Sequence, residues 1–292
     1  MPYQLLIVQI RRKIKKLIGR CSFLKNLLVL IYKVKGRKPW SLGYSIYKLS
    51  FILKTIKEHP EFFAQKELPL NYGFALDERA VEYPWFFSQI KDDEKILLDA
   101  GATLNHLEIL TLPNLKDRQL FVATLYPEGE YMEGVSPTYV YEDLRRTSFC
   151  DQKFDAIACL STLEHVGMNN TLIYTPDKSK EEDNTKAYLT AICELKRVLK
   201  EGGTLYLTVP YGKHKNFKWF QIFDTAMIEK VKKAFAPSKI SETYFKYEND
   251  QWDFSSAQFC EDGYYFDIHA EKKVLKSRLA AAQSVVCLAM IK

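Results

Sequence analysis

From Lys95 onward, short runs that are apolar at nearly every position alternate with longer stretches in which charges return every three or four residues. The runs KILLDAG, QLFVATLY, FDAIACLS, GTLYLTVP, SETYFKYE and AQSVVCLAMI are strand candidates. Between them NTKAYLTAICELKRVLK, Asn184 to Lys200, is the best-marked helix, closed by Gly202 and Gly203. Runs such as DAIACL and SVVCLAM are apolar on both faces, as in strands covered by helices on each side. The alternation implies an α/β fold around a mostly parallel sheet. Ahead of it, residues 44–66 and Leu76 to Ile90 read as helices, with Glu78, Arg79 and Glu82 read as solvent-facing charges or as the rim of a pocket.

At the chain's start, Tyr3, Ile7, Ile10, Ile14, Leu17, Cys21, Leu24, Leu28 and Ile31 recur at steps of four and three, along one side of a helix. Arg11, Arg12, Lys13, Lys15, Lys16, Arg20 and Lys25 take other positions, so no run is long enough to span a membrane, which needs about 20 apolar residues. No acidic residue precedes Glu58, whereas 14 lysines and arginines do; the remainder holds 28 basic and 36 acidic side chains. A cationic arm on an acidic body suits an anionic membrane surface through residues 1–35, a helical partner or second copy, or docking on its own body. Residues 1–60 thus form a basic amphipathic helical extension, with KGRKPWSLG as an elbow, and 61–292 the main domain.

Composition narrows the rest. An apolar content of 47% with 14% aromatics is that of a globular chain. Six scattered cysteines with no C-x-x-C pair indicate a reducing, cytoplasmic setting without disulfides, and five scattered histidines give no metal-ligand spacing. The acidic body argues against nucleic acid as a partner.

In an open α/β sheet, ligands bind beyond the carboxyl ends of the strands. Those ends carry Asp99 and Gly101, Thr124 to Glu128, Asp143 in YEDLR, Glu164 and His165 in STLEHVG, and Tyr211, Lys213 and His214. The first turn holds one glycine, Gly101, followed by Ala102, Thr103, Leu104 and Asn105, where a nucleotide loop usually holds two or three.

The order LLDAG, YEDLRRTSF, FDAIACLSTLEHV and ELKRVLKEGGTLYLTVP resembles the class I S-adenosylmethionine-dependent methyltransferases, over roughly residues 75–292. The EHVG tetrapeptide is similar to the cyclopropane fatty acid synthase branch and to methyltransferase-like proteins associated with cell-surface polysaccharide synthesis. The resemblance implies a Rossmann-like, seven-stranded, mostly parallel sheet and S-adenosylmethionine as cofactor. On matching positions it implies a cofactor site of Asp99, Gly101, Ala102, Asn105, Thr124, Asp143, Leu144 and Leu160, with Asp143 accepting from the adenine amino group. The sequence departs from the family at Thr103 and Asn105, which replace glycines, and at Thr124, where an acidic residue ordinarily holds the ribose hydroxyls; Glu128 and Asn105 are the candidate substitutes for it.

For a hydroxyl acceptor, His165 is the candidate base, because imidazole titrates near neutrality, with Glu164 orienting it. The alternative is that the pair merely ends a strand and caps a helix. The segment YGKHKNFKWFQIFD offers Trp219, Phe220 and Phe223 as sugar-stacking surfaces or as core, and the loop from Met168 to Asn184 is long enough for a lid. Two functions stay open: O-methylation of a saccharide, lipid-linked or small-molecule acceptor, and a scaffold that has lost cofactor binding through its altered loop.

Overall fold

In a computed structural model, residues 22–126, 137–172, 177–267 and 282–292 are described. Most of the expected N-terminal helix, residues 1–21, lies outside them, as do Glu128 and residues 173–176 of the long loop. Five longer helices are α1 (Ser22–Val34), α2 (Tyr44–Glu58), α3 (Arg79–Gln89), α4 (Tyr188–Val198) and α5 (Thr225–Phe235). The large sheet is built from β1 (Ile96–Ala100), β2 (Gln119–Thr124), β3 (Thr138–Tyr141), β4 (Phe154–Leu160), β5 (Leu199–Pro210), β6 (Lys239–Glu248), β7 (Gln251–Ser255) and β8 (Ser284–Ile291).

The strand order is β3-β2-β1-β4-β5-β8-β6-β7, parallel from β3 through β5 and antiparallel beyond. This is the Rossmann-like sheet expected, with eight strands rather than seven. The extra strand, β7, is a hairpin partner of β6, joined by Asn249 and Asp250 at φ 52° and 62°. Two consecutive positive φ values make a turn whose twist matches that of paired strands, and Asn and Asp tolerate it well. A second difference lies at Gly202 and Gly203, which sit inside β5 instead of closing the preceding helix; the helix ends at Val198.

Side-chain alternation along the strands feeds two cores. Leu98, Ile157 and Leu205 face α4 and α5, whose buried positions Tyr188, Ala191, Ile192, Leu195 and Val198 recur at helical spacing. Each large aliphatic side chain buried there is worth about 1.5–3 kcal/mol. Leu97, Ala156 and Tyr206 face the other layer, made of α3 and the N-terminal helices, with Tyr32 of α1 and Tyr44 and Ile52 of α2 fully buried. The elbow is tightly packed: at Gly43, φ 90°, an added Cβ would lie 2.3 Å from the Leu28 carbonyl oxygen. Phe63, Phe245, Phe254 and Trp252 extend this layer over the antiparallel edge.

Candidate active site

The carboxyl ends of β1, β2, β3 and β4 converge on a cavity of about 240 Å³. One wall is the turn after β1. Asp99 is fully buried, and its two oxygens accept the backbone N–H groups of Thr103 at 3.0 Å and Leu104 at 2.9 Å. Hydrogen bonds to an ionised group contribute about 1.5–3 kcal/mol each, so this carboxylate folds the turn. Gly101 has φ 114°, and a Cβ there would lie 2.1 Å from Thr162 Oγ1; only glycine fits.

The departures from a glycine loop have structural partners. Thr103 sends its hydroxyl to the Leu160 carbonyl at 2.9 Å, fastening the turn to the end of β4, while its own carbonyl accepts from Tyr83 Oη. The Asn105 side-chain oxygen accepts from Tyr139 Oη on β3 at 2.8 Å. Ala102 carries the second left-handed position, φ 60°. Side chains therefore hold here what glycine flexibility permits elsewhere, and Gly101, Ala102 and Thr103 still face the cavity.

Of the residues expected from sequence, Gly101, Ala102, Thr124, Asp143, Leu144 and His165 line the cavity. Four others stand outside its lining: Asp99 and Asn105 brace the turn, the Leu160 carbonyl accepts the Thr103 and Thr162 hydroxyls, and Glu164 is buried beside His165. Asp143 is engaged by a group that sequence inspection missed. Arg145 donates from Nε and Nη2 to its carboxylate and, from the other edge, to both oxygens of Glu182 in the long loop. This double clasp ties the β3 turn to the loop across the cavity mouth. The expectation of a lid there acquires one anchored residue, Glu182.

On the opposite wall Glu78 and Glu82 are buried and not solvent-facing, while Arg79 stands at the pocket, the second of the two readings. Glu82 is completely buried; Oε1 accepts from Ser161 Oγ and from Thr208 Oγ1 at 2.7 Å, and Oε2 accepts from Arg79, which lines the cavity. Just ahead of α3, Asp77 is buried between Tyr44 Oη and Lys48, and Glu78 accepts from the Ala282 N–H. Burial, with Asp77 and Glu82 nearby, raises the Glu78 pKa to about 8. Glu164 is raised well above the ordinary carboxyl value, first by burial and then by Glu82, and its Oε2 has no hydrogen-bond partner among the described residues. An i, i+3 Arg–Glu pair flanked by Ala80, Val81, Tyr83 and Trp85 was the signal available in sequence: charges in an otherwise apolar helix.

His165 joins this wall. Its Nδ1 lies 2.9 Å from the Trp219 carbonyl, which only accepts, so Nδ1 carries the hydrogen and Nε2 the lone pair. The ring stacks on Trp219, centroids 5.3 Å apart, and Nε2 lies 3.9 Å from Glu164 Oε1. Burial, reinforced by the Arg79 charge, lowers its pKa to about 4, correcting the expectation of a group titrating near neutrality. Trp219 is half-buried, whereas Phe220 and Phe223 belong to the core.

Residues 122–207 match a family model described as a methyltransferase domain. That stretch carries a methyltransferase domain. The chain is an S-adenosylmethionine-dependent enzyme. The matched stretch covers the ends of β2, β3 and β4, the cavity's floor, and most of β5. Among solved structures, the methyltransferase is similar to a SAM-dependent methyltransferase from Thermotoga maritima (12% identity, 83% of this chain and 99% of that one, TM-score 0.43). It is also similar to one from Archaeoglobus fulgidus (11%, 68% and 86%, 0.40) and to the 1,6-didemethyltoxoflavin-N1-methyltransferase of Burkholderia thailandensis, solved with 1,6-didemethyltoxoflavin and S-adenosylhomocysteine (13%, 68% and 72%, 0.38). At this distance the three speak neither to acceptor nor to partner. No curated protein matches the chain.

The donor set fits the cofactor in kind. Leu144 would offer an apolar face for adenine beside the Asp143 carboxylate, Thr124 to Tyr126 would stand at the ribose, and Arg79 with the Gly101–Thr103 turn would hold the amino-acid end. A neutral threonine at 124 replaces the usual ribose carboxylate. Among the described residues no cluster with metal-ligand geometry occurs, no helix is long and apolar enough to cross a membrane, and Cys150, Cys159, Cys193, Cys260 and Cys287 are free thiols.

Proposed function

We propose that this methyltransferase methylates a hydroxyl oxygen of a saccharide, lipid-linked or small-molecule acceptor, with His165 as the proton acceptor. The observation that carries the reading is the tautomer of His165: with Nδ1 held by the Trp219 carbonyl, Nε2 is the proton-accepting atom of a ring that lines the cavity. S-adenosylmethionine, when bound, supplies an electrophilic methyl group on a sulfonium. The chain's own residues then align the acceptor and remove its proton.

A pKa of about 4 makes His165 a weak base, yet adequate for this task. An alcohol oxygen that has begun to bond to carbon becomes strongly acidic, so the proton moves late and downhill even to a weak acceptor. The same pKa keeps the ring deprotonated at neutral pH, and no fraction is lost to the protonated form. Trp219, stacked on His165, gives the acceptor an apolar face of the kind sugar rings pack against. Burial raises the Glu164 pKa and so disfavours a competing negative charge beside the imidazole.

The turn's geometry supports catalysis over the scaffold alternative, since Thr103 and Asn105 each brace it rather than block it. The test is methyl transfer from labelled S-adenosylmethionine to panels of saccharides, lipid-linked saccharides, alcohols and amines. Ether products, lost on His165→Gln, are expected; turnover of amines alone, or unchanged turnover in the variant, contradicts the reading.

A further inference from the structure

The arm's exposed face differs from the one its periodicity suggests. Of the stripe read from sequence, Leu28 is buried and Leu24 and Ile31 are partly buried: that side of α1 packs on the body, where Tyr32 meets Tyr44 with ring centroids 5.9 Å apart. Lys25, on the same side, pairs with Glu108 at 3.4 Å. The outward side consists of Phe23, Leu27, Leu30 and Val34, at i, i+4, i+7 and i+11, exposed by 78%, 40%, 56% and 78%. Leu42 in the elbow adds 62%, while Trp40 beside it packs against Tyr44 and under Lys48. A helix docked by one face ordinarily turns polar residues outward. Here both faces are apolar, and the outer one lacks a partner among the described residues.

We propose that the face formed by Phe23, Leu27, Leu30 and Val34, with Leu42, docks the enzyme on an anionic lipid surface. Charge selects this occupant. Residues 1–57 hold 14 cations and no acid, and Lys33, Lys35 and Lys38 are exposed beside the apolar stripe. A second copy of the chain would bring two such arms together, charge against like charge, whereas anionic headgroups neutralise them. An amphipathic helix of this kind lies in the interface with its apolar side chains among the upper acyl carbons. The surface would also lie near the active site, because Glu108, the partner of Lys25, is two residues from His106 of the cavity lining. The inference stands apart from the identity of the acceptor.

The full chain is tested by co-sedimentation with vesicles of phosphatidylcholine alone and of phosphatidylcholine with phosphatidylglycerol, alongside its Leu27→Glu/Leu30→Glu variant. The wild type is expected to pellet with the anionic vesicles only. The variant should partition about 100-fold or more weakly, from two lost apolar contacts and two added negative charges, with an unchanged melting temperature. Equal pelleting of variant and wild type, or no pelleting of the wild type at low salt, overturns the proposal. So does a wild-type dimer that the variant converts to monomer, which would make the face a self-association surface. A variant melting several degrees lower without vesicles would show that residues 1–21 cover the face, and would overturn it equally.

Discussion

The two walls of the cavity are held by opposite means. On the β1 side a single carboxylate, Asp99, is satisfied by backbone N–H groups, and neutral side chains, Thr103 and Asn105, fasten the turn to neighbouring strands. On the α3 side Glu78, Glu82, Glu164, Arg79 and His165 are brought together under cover, and two carboxyl groups and the imidazole are driven away from their ordinary pKa values. The first wall is an arrangement for holding a ligand. The second stores electrostatic strain, as sites that move protons do.

The largest expected effect comes from breaking the second wall. Glu82→Ala strands the Arg79 guanidinium and leaves the Ser161 and Thr208 hydroxyls without their shared acceptor. Removing one partner of a buried pair costs about 3–5 kcal/mol, to be read by urea denaturation. An effect under 1 kcal/mol would mean that water or relaxation substitutes freely for Glu82, and the contrast between the walls would fall.

His165→Gln comes next. It should lower kcat by about 10²–10⁴-fold, the usual contribution of a positioned base, with KM for the cofactor unchanged. In the wild type the ring is protonated only as pH falls through about 4, against the ordinary 6.5, so the acid limb of kcat should lie near pH 4 and be absent in the variant. A limb at 6.5 assigned to this residue would contradict its burial.

The first wall should respond more mildly. Thr103→Val keeps the volume but deletes the hydroxyl bonded to Leu160, with an expected loss of about 1 kcal/mol in folding stability and a weaker cofactor complex at unchanged kcat. Smallest is Glu78→Gln. The folded-state pKa of Glu78 is raised, so its contribution is fully present below pH 4.5 and is lost as pH rises through about 8. The glutamine variant should match the wild type at acid pH and melt higher at pH 9; parallel melting curves across this range would show that Glu78 ionises without cost.

How much of this was legible in the chain depends on how local each signal was. The alternation of apolar runs and the LLDAG and STLEHVG elements placed six of the eight strands and the cavity at their carboxyl ends, because burial on both faces leaves a mark in every residue of a strand; β3 and β7, short and half-exposed, carry no such mark. The elements read less well are set by contacts remote in sequence. Glu82 looked exposed because nothing near it announces Ser161 and Thr208, 79 and 126 positions away. Arg145 was missed although it stands only two residues from Asp143, and nothing local marks its second partner Glu182. The stripe read along the arm, Leu24, Leu28 and Ile31, is the side that packs on the body, one of the uses it suggested, whereas the second apolar face beside it went unread for the same reason. Periodicity shows that a helix has apolar faces, and only packing shows which of two is used; Leu28 and Tyr32 chose the body, leaving Phe23, Leu27, Leu30 and Val34 outside.

The central claim is that a turn with one glycine, braced by Asp99, Thr103 and Asn105, still forms a working cofactor wall. Isothermal titration calorimetry of the wild type with S-adenosylhomocysteine tests it most directly. One-to-one binding is predicted, with affinity reduced in Thr103→Val and retained in Glu78→Gln. An absence of heat at millimolar ligand, from protein that is folded and monodisperse, would contradict the account.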